Sequence, residues 1–238
     1  MLLELKDVSK SFGSLVVADG IDLTVNKGDA LGIIGPNGAG KTTLFNLITG
    51  GLLPESGEVH FNGQNVTRVP AEQRCFAGIG RSFQVPLPFE GLSVFENLAV
   101  GGAFGQGKSV AQVQDQCVEI LELTGLIQKA NTLAGALTLL ERKRLEMARA
   151  LSTGPELLLL DEIAGGLTEM ECDDLVATIQ QVHASGTTIV WIEHIVHALM
   201  RVVDRIFVLN FGRKIGEGDP EAIVSSPQVQ EIYMGIEA

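Results

Sequence analysis

The sequence predicts an α/β fold: a buried, largely parallel sheet, preceded by a small antiparallel β layer and interrupted by an α-helical insert. Three observations point to it. The apolar run Leu31-Gly32-Ile33-Ile34 passes through a glycine-rich turn into Thr43-Leu44-Phe45-Asn46-Leu47-Ile48, which has the pattern of a strand, a loop and the first turns of a helix. Leu157 to Leu160 is an unbroken run suited to a strand covered on both faces. Between these two strands, residues 86–155 carry mainly helical signals.

Taken in order, Leu3, Leu5 and Val8 alternate with Glu4, Lys6 and Asp7 as in a half-exposed strand. Val16 to Val25 is a second strand, Ser11-Phe12-Gly13 a loop between the two, and Asn26 to Asp29 a turn. Gly57 to Phe61 closes on Asn62-Gly63, a hairpin turn. Pro70 to Arg74 forms a helical turn, and Ile79 to Gln84 a strand ending in a polar residue. Val85-Pro86-Leu87-Pro88 continues no regular element. Ser93-Val94-Phe95-Glu96 is a capping box that opens a helix through Val100, and Gly101 to Gly107 is a connector.

Ser109 starts a helix with Val110, Val113, Cys117, Ile120 and Leu121 on one face, ended by Gly125. After the leucine strand, Thr168-Glu169-Met170-Glu171 is a second capping box, for a helix reaching Ala184. Thr187 to Ile192, Arg205 to Leu209 and Lys214 to Gly216 are strands. Asp219-Pro220 and Ser226-Pro227 are N-cap and first-residue pairs of two terminal helices.

The turn after Ile34 reads Gly35-Pro36-Asn37-Gly38-Ala39-Gly40-Lys41-Thr42, a G-x-x-x-x-G-K-T pattern. A loop leaving a buried strand and entering a helix gathers backbone N–H groups around one point. The helix N-terminus adds partial positive charge there, so phosphate is favoured. Glycines let the backbone approach. Lys41 is placed for β- and γ-phosphate oxygens and the Thr42 hydroxyl for a bridging Mg²⁺. Asp161 and Glu162 follow the leucine strand, and His194 leaves the strand ending at Ile192. In a parallel sheet such carboxyl ends can converge on one edge. Asp161 then holds Mg²⁺, Glu162 polarises a water as general base, and His194 contacts the γ-phosphate. Taken alone, Phe12 is more often a packing residue than a base-stacking one, and His60, His183 and His197 read as structural.

Composition limits the use made of that nucleotide. The chain has 238 residues, 45% of them hydrophobic, enough for one large domain with a subdomain. A net charge of −12 argues against a general binder of nucleic-acid backbones. Cys75, Cys117 and Cys172 have no metal-ligand spacing and read as reduced thiols. Met1-Leu2-Leu3-Glu4 lacks the layout of a signal peptide, and no run reaches the ~18 apolar residues of a membrane span. A cytosolic nucleotide-binding protein with no direct membrane insertion is expected.

In this order of motifs the chain resembles, over essentially its whole length, the ATP-binding subunits of ABC transporters. Gly35 to Thr43 matches the Walker A segment, Gln84 the Q-loop glutamine, Leu157 to Asp161 the Walker B strand, Glu162 the catalytic glutamate and His194 the switch histidine. Phe12 stands where the adenine-stacking aromatic falls. Gly78-Ile79-Gly80-Arg81-Ser82-Phe83-Gln84, Phe95-Glu96-Asn97-Leu98, Ile192-Glu193-His194, Asp204-Arg205-Ile206 and Ile232-Tyr233-Met234-Gly235 are most similar to subunits serving branched-chain amino-acid importers. Urea or amide importers and lipopolysaccharide-export ATPases share much of this pattern.

The resemblance implies an ABC ATPase fold, with a P-loop NTPase (RecA-like) core in residues 1–85 and 156–238 and a helical signature subdomain in 86–155. It implies ATP and Mg²⁺ as cofactors. The catalytic residues are then Lys41, Glu162 and His194, and the nucleotide contacts Phe12, Gly35, Pro36, Asn37, Gly38, Ala39, Gly40, Lys41, Thr42, Thr43, Gln84 and Thr138. Metal contacts fall on Thr42, Gln84 and Asp161. The implied partners are integral membrane permease subunits and a second ABC ATPase subunit, with the chain peripheral on the cytoplasmic face of the cell membrane. Val85 to Glu90 suits docking of a permease helix, or packing on the chain's own insert. A soluble ABC-type ATPase acting on nucleic acid or ribosomes is the alternative class, and it commonly carries tandem halves or basic extensions.

The chain departs from the family at its signature. Leu137-Thr138-Leu139-Leu140-Glu141 stands for L-S-G-G-Q, so two leucines replace glycines, and Glu141 brings an acid that Arg142 or Arg144 would have to offset. Ile163 stands where proline follows the glutamate, and Gly165-Gly166-Leu167-Thr168 where an aspartate is common. Either the variant works with altered packing, or one composite ATP site is impaired.

Overall fold

A hairpin of β1 (Leu3–Phe12) and β2 (Leu15–Val25) opens the chain, in antiparallel register from Leu3↔Val25 to Phe12↔Leu15. The computed structural model of the protein describes residues 1–234. The hairpin turn holds only Gly13, at φ 62, and Ser14, so Phe12 is the last residue of β1 and not part of a loop. A two-residue turn carries pairing right up to its edge.

β3 (Ala30–Ile34) is buried at every residue, and the glycine-rich loop leads from it into α1 (Lys41–Thr49). β4 (Ser56–Phe61) turns through Asn62 and Gly63, at φ 50 and 74, into β5 (Gln64–Asn65). The short α2 (Ala71–Phe76) precedes β6 (Ile79–Arg81), which ends before Phe83 and Gln84, a shorter strand than expected. Capping boxes at Ser93, Thr138 and Thr168 open α3 (Val94–Gln106), α5 (Leu139–Ser152) and α6 (Glu169–Ala184), while Ser109 opens α4 (Val110–Leu123) and β7 (Leu157–Asp161) follows α5. The chain continues through β8 (Thr188–Ile192), α7 (Val196–Met200), β9 (Arg205–Asn210) and β10 (Arg213–Gly218). It ends with α8 (Pro220–Val224), capped by Asp219, and α9 (Pro227–Met234); Gly235 of the terminal motif lies outside the described residues.

Contacts divide the chain into two units, residues 1–74 with 190 onward, and residues 75–189. The first holds an antiparallel sheet in the order β2-β1-β4-β5, and a second sheet in which β3 lies between β8 and β9. β3 pairs with β9 in parallel, from Leu31↔Arg205 to Ile34↔Val208, and β10 is antiparallel to β9. The far end of α1 is closed by Arg74, which is wholly buried. Its guanidinium donates to Leu47 O at 2.7 Å, Ile48 O at 2.8 Å, and Thr67 O and Val69 O at 2.9 Å. The last carbonyls of a helix lack intrahelical donors and carry its negative dipole end, and a buried cation answers both. Burial pushes the Arg74 pKa down.

In the second unit β6 and β7 run parallel, from Ile79↔Leu157 to Arg81↔Leu159. α3 packs on α4 and α5. Gly101 to Gly107 is not a connector: the helix runs through Gln106, and Gly107 caps it at φ 65. The glycines serve close approach. A Cβ on Gly101 would lie 2.4 Å from Ser152 Oγ and 3.0 Å from Arg149 O, and one on Gly105 2.7 Å from Thr153 Cβ. Val113, Cys117, Ile120 and Leu121 of α4 are buried as their spacing predicts, but Val110, in the first turn, is exposed. Among the described residues no disulfide joins Cys75, Cys117 or Cys172, and no helix is long and apolar enough to cross a membrane.

Gly101→Val tests the helix packing. Overpacking of this kind costs about 1–3 kcal/mol, so the thermal unfolding midpoint should fall by several degrees. Gly91→Ala, where an added Cβ meets nothing within 4 Å, should leave the midpoint unchanged. An unchanged midpoint for Gly101→Val would contradict the packing described.

Candidate functional site

The glycine-rich loop of the first unit is closed in by main chain. A Cβ on Gly35 would lie 2.1 Å from Leu209 O, and one on Gly40, at φ 106, 2.2 Å from Val17 O. Gly212 N donates to Ala39 O at 2.9 Å, and Asp19 N to Gly212 O at 2.8 Å, so β2 and the β9–β10 turn both brace the loop. Pro36 is half-buried, and Asn37 and Gly38 at the crest are exposed.

The first turn of α1 has no capping side chain and no acid. α3, α5 and α6 all begin with a side-chain cap and a glutamate at the third position. The uncapped end of α1 therefore keeps its N–H groups and partial positive charge for an anion. Lys41, only 5% exposed, donates to Gly35 O at 2.7 Å and Pro36 O at 3.1 Å, so its ammonium lies over the loop. Thr42 is exposed and Thr43 half-buried. A cradle in which Gly35 and Gly40 leave no room for a Cβ, below an uncapped helix end, fits a bound phosphate group.

Two more expected contacts belong to this unit. Phe12 is half-exposed, with Lys10 Nζ 5.5 Å from its ring centroid. His194 is exposed just past β8, and its N–H donates at 2.9 Å to Oε1 of the buried Glu193.

The second unit carries Gln84, Thr138, Asp161 and Glu162. Asp161 ends β7, buried, with Oδ2 accepting from Arg81 Nη2 at 2.7 Å. Glu162 takes φ 45, a left-handed backbone that few side chains adopt without cost. Gln84 Nε2 donates to Glu162 Oε2 at 2.5 Å, so the structure brings these two residues together. Asp161, Gln84 and the Thr42 hydroxyl of the first unit all offer oxygens of the hard type that Mg²⁺ accepts.

The stretch after Gln84 is held through its main chain. Lys143 Nζ donates to Gln84 O at 2.7 Å, and Arg149 Nη1 to Leu87 O at 2.9 Å. The Asn97 side chain accepts from Phe89 N at 2.9 Å and donates to Phe89 O at 3.1 Å. Glu146 accepts from the N–H groups of Leu87 and Phe83; burial pushes its carboxyl up, while Arg149 and these N–H groups act against that. The side chains of Phe83, Val85, Leu87 and Phe89 stay exposed. Asn97 enters the sequence reading only as part of Phe95-Glu96-Asn97-Leu98, and Lys143, Glu146 and Arg149 carry no assigned role there. The only signal was the helical spacing of 143, 146 and 149 on one face of α5.

The signature stretch forms the N-terminus of α5. Thr138 is exposed, its Oγ1 accepts from Glu141 N at 3.3 Å, and its own N–H donates to Glu141 Oε2 at 2.9 Å. Glu141 is offset by Lys129, at 3.2 Å, and not by Arg142 or Arg144. Arg142 turns instead to Leu137 O and Gly135 O, and Arg144 to Asp174 O. Partial burial pushes the Glu141 carboxyl up, but the Thr138 N–H, Lys129 and the Thr138 hydroxyl together leave it below its ordinary pKa.

Comparison with known proteins places this arrangement. The ABC transporter family model matches residues 18–165, and a model described as branched-chain amino acid ATP-binding cassette transporter matches residues 213–238. The chain is similar to the high-affinity branched-chain amino acid transport ATP-binding protein BraF of Pseudomonas aeruginosa, with 34% identity over 98% of each chain. It is 35% identical to LivG of Escherichia coli K12, a protein of the same description, again over 98% of each. Among solved structures, an ATP-binding cassette of an ABC transporter in its ADP conformation superposes with a TM-score of 0.90 at 32% identity, over 99% of both chains. A nucleotide-free ATP-binding cassette superposes with a TM-score of 0.89 at 31% identity, over 100% of this chain and 99% of that one. With a family model spanning more than half of its length and full-length relatives at this identity, the chain belongs to the ABC transporter family, as an ATP-binding cassette.

Proposed function

We propose that this chain is the ATP-binding and hydrolysing subunit of an importer for branched-chain amino acids. The observation that carries the ATPase assignment is the uncapped N-terminus of α1 behind Gly35 and Gly40, a seat for phosphate that the capped ends of α3 and α6 do not offer. The solute class follows from relatives named for branched-chain amino acid transport and from the matching C-terminal family model.

In the first unit, main-chain N–H groups from Gly35 to Thr43 and the Lys41 ammonium stabilise charge on the transferring phosphoryl group. Phe12 offers an exposed ring to the base, and His194 holds the γ-phosphate. In the first unit the Thr42 hydroxyl, and in the second Asp161 and Gln84, carry oxygens that would suit Mg²⁺, which when bound would neutralise phosphate charge. In the second unit, Glu162 accepts a proton from the attacking water, and its strained backbone and the Gln84 amide fix where the carboxylate points.

A second ABC ATPase subunit supplies the other wall of the nucleotide, with its signature helix facing the phosphate loop. Thr138, exposed at the head of α5, plays that part here as a working variant of the signature. Val85, Leu87 and Phe89 dock an integral membrane permease on the cytoplasmic face of the membrane. Their main chain is pinned while their side chains stay exposed, which is what a pre-formed docking surface needs.

Four variants test these roles. Glu162→Gln should keep ATP binding, lower hydrolysis by about 10² or more, and accumulate an ATP-bound dimer in gel filtration; normal turnover in a monomer would remove Glu162 from the role. Lys41→Ala should lose nucleotide binding in a fluorescent-ATP titration. Glycine at both Leu139 and Leu140 should leave turnover of the assembled transporter unchanged or lower, and a large rise would mean an impaired native signature. Leu87→Asp should lose the co-purifying permease while binding ATP normally; a permease retained in full would rule out the docking surface.

A further inference from the structure

Beside the carboxylate that ends β7 lies a cation assigned no role above. Arg81 Nη2 meets Asp161 Oδ2 at 2.7 Å, and the two side chains are 9% and 4% exposed. The pairing is framed by backbone. Arg81 stands opposite Leu159 in the β6–β7 register, Ser82 N donates to Leu159 O at 2.9 Å, and Asp161 N reaches Ser82 Oγ at 3.4 Å. The Arg81 guanidinium also lies 5.0 Å from the Phe83 ring centroid, which limits its swing. An arginine in contact with a carboxylate this far from water satisfies much of the charge that a divalent ion would otherwise neutralise. Like charges repel, so an ion approaching Asp161 meets the guanidinium's field.

We propose that Arg81 is a positioning residue that sets the Mg²⁺ affinity of Asp161, holding the carboxylate in one orientation without metal and raising the Mg²⁺ concentration needed for loading. The proposal rests on the assignment of Asp161 to Mg²⁺ given above. Arg81 acts through the carboxylate and needs no contact with the nucleotide. Two consequences follow from the charge. Without Arg81, the metal-free protein keeps a buried carboxylate whose cation has been removed, and is destabilised. With Mg²⁺ and ATP present, the ion takes over that neutralisation, and the loss is largely recovered.

The test compares the full chain with Arg81→Met, close in length and uncharged, and Arg81→Lys, which keeps the charge. Thermal midpoints are taken at saturating ATP in EDTA and in Mg²⁺, and Mg²⁺ is titrated against binding of a fluorescent ATP analogue. Arg81→Met should lower the midpoint in EDTA by several degrees, show a larger Mg²⁺-induced rise than the native chain, and reduce the half-saturating Mg²⁺ concentration on the order of tenfold. Arg81→Lys, which keeps the positive charge, should lie closer to native than Arg81→Met does. A half-saturating concentration unchanged or raised in Arg81→Met overturns the proposal. Should that variant not fold, Arg81→Gln, which can still donate to Asp161, is judged by the same shift. Asp161→Asn separates the two levels. If it abolishes Mg²⁺ dependence while Arg81→Met behaves as native, only the role of Arg81 is lost. If Asp161→Asn itself leaves Mg²⁺ dependence intact, the assignment of Asp161 fails.

Discussion

Close contact between main chains fixes the phosphate loop, and the rest of the first unit is arranged to keep it. Leu209 O and Val17 O stand where Cβ atoms on Gly35 and Gly40 would have to be. A larger residue at either point would push the loop off β9 or β2 and turn its N–H groups away from a common centre. The β9–β10 turn supports the same geometry. Phe211 takes φ 44 and Gly212 φ 74, so that Gly212 can bond both Ala39 and Asp19. At the other end of α1, Arg74 holds the last carbonyls. Helix α1 is therefore anchored at both ends, by glycines at the front and a buried guanidinium at the back.

The second unit meets a different demand, an exposed apolar stretch that is nevertheless held in one shape. Residues 83–90 have no secondary structure of their own, so their backbone groups need partners elsewhere. α5 supplies most of them from Lys143, Glu146 and Arg149, and α3 supplies Asn97. Burying Lys143 and Glu146 costs solvation that an apolar face would avoid. That cost is offset because each charge meets loop main chain, which leaves the loop's own apolar side chains outward. The glycines of α3 belong to the same scheme, since they bring α3 close to the main chain of α5.

Local signals explain what the sequence revealed. The G-x-x-x-x-G-K-T loop, the leucine strand, the capping boxes at Ser93 and Thr168 and the Asn62-Gly63 turn each rest on neighbouring residues, and each appears in the structure. Gly101 to Gly107 reads as a connector, though it lies in α3 and its cap, because glycine can mean a freed backbone or two backbones in contact, and composition does not separate the two. Phe12 reads as loop, though it ends β1, because a two-residue turn leaves little polar sequence to mark where the strand stops. Arg81 with Asp161, Arg74 with Leu47, and Glu141 with Lys129 escaped for a common reason. Their partners lie 80, 27 and 12 residues away, beyond the reach of any periodic pattern. For Glu141 the nearby arginines were the obvious donors, yet the backbone carbonyls of Gly135 and Leu137 take Arg142.

The proposed function couples phosphate binding at one helix end to movement through a permease. The most direct measurement is uptake of radiolabelled leucine into vesicles that contain the co-purified permease complex, with ATP supplied on the side of this chain. The account predicts uptake that depends on ATP and Mg²⁺ and stops when Lys41 is replaced by alanine. Leucine uptake that continues without ATP, or is unaffected by that replacement, would contradict it.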